Sequence, residues 1–149
     1  IGINYFGLSG QLQGSINDAR SIQEFLIYYY NYKAWDIAML TDDSPDPRQH
    51  PTRKNIIDTM KWLVHDAQSG DTLLFFYSGS SRQVCTKGGT YEEAILPVDY
   101  DRHGSILHEE MYHLMIRPLP TGCRLTVQKN FLYFYSSGLM GAFTRFYFL

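Results

Sequence analysis

The sequence predicts an α/β sandwich with a largely parallel sheet, and three observations point there. Amphipathic helical stretches alternate with short apolar runs along the chain. The run Leu73–Phe76 is too short for a helix and suits a central strand. Cap and turn residues punctuate the junctions between them. At 149 residues the chain suits one domain with one core, and 44% hydrophobic content is ordinary for a globular protein. A net charge of −2 gives no reason to expect a nucleic-acid partner. Two cysteines, Cys85 and Cys123, are too few for a disulfide framework, so a reducing, cytoplasmic setting is the expectation. The chain starts at Ile1 without a basic or apolar leader pattern, and Ile1-Gly2-Ile3-Asn4 reads as the tail of a strand in a piece cut from something longer.

Each element has its own justification. Gly14-Ser15-Ile16-Asn17-Asp18 holds cap-type residues, and Ile22, Phe25, Leu26 and Tyr29 recur at three- and four-residue spacing, predicting a helix from about Asn17 to Tyr30. Asp36 to Leu40 is predicted as a short strand, and Thr41 to Pro47 as a polar, proline-marked loop. Thr52 caps a second helix with Ile56, Ile57, Met60, Leu63, Val64 and Ala67 on one face, stopped by Gly70. Leu73–Phe76 is the central strand, and Ser80 to Thr90 is predicted as the loop at its carboxyl end, where such sheets place working residues. Ala94 to Val98 is a brief strand, Asp101 to Gly104 a turn, and His108 to Ile116 a third helix stopped by Pro118 and Pro120. Another strand begins at Arg124 to Val127. From Phe131 the character changes: eight aromatics fall in nineteen residues with one charge, Arg145.

Several segments in order carry a family resemblance. These are Ile1-Gly2-Ile3-Asn4-Tyr5, Leu12 to Ala19, Leu40-Thr41-Asp42-Asp43, Pro51 to Ile56, Tyr77-Ser78-Gly79, Ile95 to Tyr100, Glu110-Met111 and Pro118 to Thr126. Together they resemble a type I metacaspase, a caspase-like cysteine peptidase. The resemblance implies a caspase-like three-layer sandwich, of which this chain holds the large-subunit half. It divides the chain into a partial domain over 1–126 and a divergent aromatic tail over 127–149. It also carries the family's association with programmed cell death.

The family mechanism is a Cys–His dyad that cleaves after Arg or Lys, commonly with calcium on loop carboxylates. Here Ser80 stands at the position of the general base, and a hydroxyl does not accept a proton near neutral pH as imidazole does. The nucleophile-bearing segment is replaced by Val127-Gln128-Lys129-Asn130-Phe131, which has no cysteine. Both halves of the dyad are missing, so the expectation is an inactive homologue. Asp18, Ser78 and Ser15 stand at positions that line the family's S1 pocket, where a carboxylate suits a guanidinium or ammonium group. A basic peptide or protein is therefore the partner to expect. Asp18 is also suited to the plainer role of a carboxylate at a helix N-terminus. Glu92 and Glu109 are weak calcium candidates, because Glu or His replaces the family's Asp and calcium needs six or more oxygens. No cofactor is expected.

Substitutes for the dyad are poor. Cys85 lies on the loop after the central strand as an unrecognised nucleophile in the alternative, active reading, but no His is predicted beside it. Cys123 lies about 23 Å from the expected nucleophile position. Ser136 and Ser137 lack a base. His108 and His113 would point about 140° apart on a helix and share no metal. His65 is read as an exposed helix residue, with His50 and His103 on loops. The aromatic tail reads in three ways: as a membrane anchor interrupted by Ser136, Ser137, Gly138, Gly141 and Arg145; as a strand with no visible partner; or, favoured here, as a frame that leaves the family's path after Thr126. The anchor reading leaves a non-enzymatic interaction module as a further alternative.

Overall fold

The computed structural model describes residues 1–86, 88–134 and 140–148, with side chains described as far as residue 130. Its spine is strand β1, Thr72–Cys85, which pairs in parallel with β4, Arg124–Phe134, from Thr72↔Arg124 to Ser81↔Tyr133. The other edge of β1 is shared. Its first half meets the N-terminal segment, where Ile3 N–H donates to Ser78 O and Ser78 N–H to Ile1 O at 3.0 and 2.9 Å. Gly2 N–H in turn donates to Leu40 O at 3.0 Å, so a parallel core of short bridges flanks the long strand. The second half of β1 meets β2, Tyr91–Ile95, antiparallel, and β2 meets β3, Ile106–Leu107. With β5, Met140–Phe148, antiparallel to β4, the sheet order is β3-β2-β1-β4-β5.

Helices cover both faces. Successive strand residues face opposite ways. Phe75 and Tyr77 of β1, with Leu125 and Val127 of β4, join one core with Ile56 and Met60 of α2, Arg53–Val64. Ser78, facing the other way, meets Asp18 of α1, Ser15–Tyr30. The result is the three-layer α/β sandwich. Each fully buried side chain such as Ile3, Ile56 or Leu125 contributes about 1.5–3 kcal/mol. The helix starts follow their sequence signals closely. Thr52 Oγ1 accepts from Asn55 N–H at 3.2 Å to cap α2. The first helix begins two residues earlier than the cap residues suggest, because Ser15 and Ile16 pack against Gly2.

Local readings needed correction in several places. The predicted loop from Ser80 to Thr90 is largely strand: β1 runs on to Cys85 and turns back as a hairpin into β2. Small polar residues there look loop-like, but pairing with β4 as far as Ser81 and with β2 from Ser81 to Cys85 overrides that preference. Asp36 to Leu40 is not a regular strand. It opens with a 3₁₀ turn, Ala34–Asp36, and then makes single bridges beside Gly2. The turn at Asp101 to Gly104 is a short helix, α3, Tyr100–His103. The third long helix divides into α4, His108–Met111, and a π turn, Tyr112–Ile116. One of the three readings of the aromatic tail was a strand lacking a partner; its residues 140–148 pair along their backbone with β4. Ser136 and Ser137 lie outside the described residues. No helix among the described residues is long and apolar enough to cross a membrane.

Candidate functional site

The segment Tyr77–Ser81 crosses the middle of the molecule and is buried throughout. On the α1 side, Ser78 Oγ donates to Asp18 Oδ2 at 2.8 Å. Asp18 occupies the first turn of α1, half-buried, and its other carboxylate oxygen has no hydrogen bond among the described residues. Gly2 joins the third predicted residue to this pair. It bridges to Ser78 in the sheet, and a Cβ built on it would stand 2.5 Å from Ser15 O. Ser15 is buried, with its N–H donating to Asn4 Oδ1 at 3.1 Å. Asp18, Ser78 and Ser15 are thus gathered at one place by β1, the N-terminal strand and the start of α1.

Ser80 is sealed by a different set of contacts. Its N–H donates to Tyr5 Oη at 3.0 Å, and its carbonyl accepts from Tyr77 Oη at 2.8 Å and from Leu96 N–H at 3.1 Å. Tyr5 Oη donates to Leu96 O at 2.6 Å and lies 3.0 Å from Tyr77 Oη. Burial pushes the Tyr5 phenol up to about 12 and Tyr77 well above its ordinary value. Both are therefore fixed donors and not bases at neutral pH. The sequence reading missed this pair. The available signal was Gly79 in Tyr77-Ser78-Gly79: a Cβ there would lie 2.6 Å from Tyr77 Oη and 3.1 Å from Tyr5 Oη, so only glycine lets the phenols close over the strand.

The remaining candidates are dispersed. Cys85 ends β1, exposed, and its thiol donates to Thr86 O at 3.6 Å. Cys123 immediately precedes β4, at the opposite end of the β1–β4 ladder from the end of β1. Among the described residues neither thiol is hydrogen-bonded to an imidazole. His50 is held on Ser44 O at 2.7 Å, exposed His65 lies against Asp66, and His113 stands 3.8 Å from Glu109. Glu92 and Glu109 do come together, through the Glu109 N–H donating to Glu92 Oε1. No group of three or more side chains suited to a metal gathers among the described residues. Beside them Lys129, fully buried, sits 3.8 Å from Glu93, and burial together with Lys129 holds His108 below its ordinary value. The burial of Lys129 was not foreseen, since it reads as an ordinary charge in a divergent stretch.

This architecture is that of the caspase-like class of cysteine-peptidase domains. The metacaspase, peptidase C14 domain family matches residues 1–133, and the chain belongs to that family. It is 52% identical over 130 residues to Metacaspase-1 of Cryptococcus neoformans var. neoformans, 50% to Metacaspase-1 of Mycosarcoma maydis and 45% to Metacaspase-1 of Schizosaccharomyces pombe. Each match covers 85% of this chain but 28%, 32% and 31% of those proteins, so the chain spans about a third of their length or less. A crystal structure of a Geobacter sulfurreducens protein is similar in fold, with a TM-score of 0.69 at 21% identity, over 87% of this chain and 47% of that one.

Proposed function

We propose that this chain is a metacaspase-family domain without peptidase activity that retains a receptor for a basic side chain at Asp18 and Ser78. The observation carrying the first half is the state of Ser80. The position that supplies the base in the family holds a buried hydroxyl whose backbone is bound into the Tyr5–Tyr77–Leu96 network. No imidazole partners either thiol among the described residues, so neither sulfur is activated in the way a Cys–His pair requires. The second half rests on the half-buried Asp18 carboxylate, oriented by Ser78 with one oxygen left for an incoming guanidinium.

Purified protein incubated with an Arg-containing fluorogenic peptide, with and without calcium, is expected to show no turnover. Turnover abolished by Cys85→Ala would overturn the reading and install the exposed thiol as nucleophile. Binding of an Arg-containing peptide is expected to weaken about tenfold or more in Asp18→Asn, the loss appropriate to one charged hydrogen-bonded contact. Unchanged affinity in that variant would remove the carboxylate from any role in recognition.

A further inference from the structure

Beside the buried Ser80 network lies an open cavity of about 300 Å³. The rings of Tyr5 and Tyr100, edge to face at 6.5 Å, give it an aromatic wall. Arg82 lines it from an exposed position, with its guanidinium carbon 5.9 Å from the centre of the Tyr100 ring and Nη2 donating to Ser105 Oγ at 3.2 Å. Those two contacts hold the cation in place, while Nε and Nη1 have no acceptor among the described residues. The Ser9-Gly10 turn adds two backbone N–H groups that carry no hydrogen bond among the described residues.

Charge decides what such a cavity receives. Arg20, Arg48 and Arg53 each meet a carboxylate oxygen within 2.8 Å, whereas Arg82 meets none among the described residues. No carboxylate of the described residues lines the cavity. Asp99 and Asp101, on either side of Tyr100, are engaged with Arg53 N–H at 2.8 Å and with Arg102 at 4.0 Å. One guanidinium among neutral donors balances a single negative charge, and its planar fork matches a carboxylate. The volume agrees. It falls at the low end of ligand pockets, about 300 Å³, and suits a side chain better than a nucleotide.

We propose that this cavity takes the carboxylate of an Asp or Glu side chain from a bound peptide. Ser78, Ser80 and Arg82 alternate onto one face of β1, the face that meets Asp18. Along the strand Ser78 and Arg82 are about 13 Å apart, at about 3.3 Å per residue. The partner, on a reading that rests on the Asp18 receptor, is then an extended peptide with a basic residue at Asp18 and Ser78. Its acidic residue lies about four positions away, at Arg82. Two sites of opposite sign on one face select such a peptide against a uniformly basic one.

The test uses the acetylated, amidated peptides Arg-Ala-Ala-Ala-Glu and Glu-Ala-Ala-Ala-Arg, because the strand fixes the spacing and leaves the direction open. Binding is followed by NMR at the Arg82 Nε–H. A saturable shift of that resonance is expected with one of the two orders. Replacing the peptide's Glu by Gln is expected to weaken binding about fivefold, the worth of one partly exposed ion pair. Arg82→Glu, at an exposed position, is expected to reverse the preference, so that a peptide with Lys in place of Glu binds better when read at the Tyr100 ring protons. Equal affinity for the Glu and Gln peptides overturns the proposal, as does an Arg82 resonance that moves with neither order. The two sites fail separately. If Gln-Ala-Ala-Ala-Glu shifts Arg82 with the affinity of the Arg-bearing peptide, the Asp18 receptor falls and the Arg82 site stands.

Discussion

Gly79 and the two phenols packed over it show how a short motif is enforced by contact. With Tyr77 Oη 2.6 Å and Tyr5 Oη 3.1 Å from where its Cβ would stand, Gly79→Ala must displace buried rings that are themselves hydrogen-bonded to Leu96 and Ser80. A loss of about 1–3 kcal/mol in urea unfolding is expected, and a change of under a few tenths would show that the rings move freely. Alkali should probe the same pair. Tyr5 is raised from 10.0 to about 12 by burial, so the unfolded chain releases that proton at lower pH than the native state. Its contribution is complete below pH 10 and is lost as pH rises toward 12, by about 2–3 kcal/mol from this one group. Melting followed across that range, together with tyrosinate absorbance, checks it; a folded protein whose tyrosines all ionise near the ordinary value would contradict it. That Asp18, Ser78 and Ser15 lie together was legible because a motif names their positions, whereas the Tyr5–Tyr77 contact was not, because it joins residues far apart in the chain.

Helix α2 and strand β1 differ in how far local chemistry decides them. Thr52 and the apolar face of Ile56 and Met60 lie within one stretch and α2 starts where they say, but it ends at Val64, short of the expected stop at Gly70, because His65 is already extended. Thr52→Ala is expected to cost about 1 kcal/mol by leaving Asn55 N–H without its acceptor, measured as a lowered melting temperature; full retention of stability would show that water replaces the cap. In β1, Leu73–Phe76 announces a strand but Gly79-Ser80-Ser81 does not. Those three are strand because β4 occupies one side of them and the β2 hairpin takes up the other from Ser81 onward. The information that extends β1 resides in Tyr91–Ile95 and Arg124–Phe134, which no window around Ser80 contains. The short bridges at Gly2 and Thr41 were likewise too brief to carry a periodic signal.

Taken whole, the molecule leaves considerable apolar surface uncovered. Phe25, Ile27, Tyr28, Tyr29 and Tyr30 on α1 and Trp35 just beyond are all exposed. Concentration-dependent self-association is expected in light scattering, reduced by replacing Tyr28 and Tyr29 with Ser; a monodisperse monomer with a sharp melt would contradict this. The class of fold was legible from alternating element types, since layer architecture depends on coarse pattern. Exposure was less legible, because the YYY run of α1 satisfies helical periodicity and solvent contact equally well.

The parallel β1–β4 ladder also imposes an order in time. Thr72 finds its partner only when Arg124 has been made, so β2, α3, β3 and α4 must all be synthesised before the central strand can pair on that side. Parallel pairing across so long an intervening stretch makes folding slow, because loop closure precedes any gain from the contacts. The helices and the β1–β2 hairpin are local enough to form first. Leu73–Phe76 would meanwhile wait as an unpaired apolar edge, the stretch a chaperone would most usefully shield on a ribosome-bound chain.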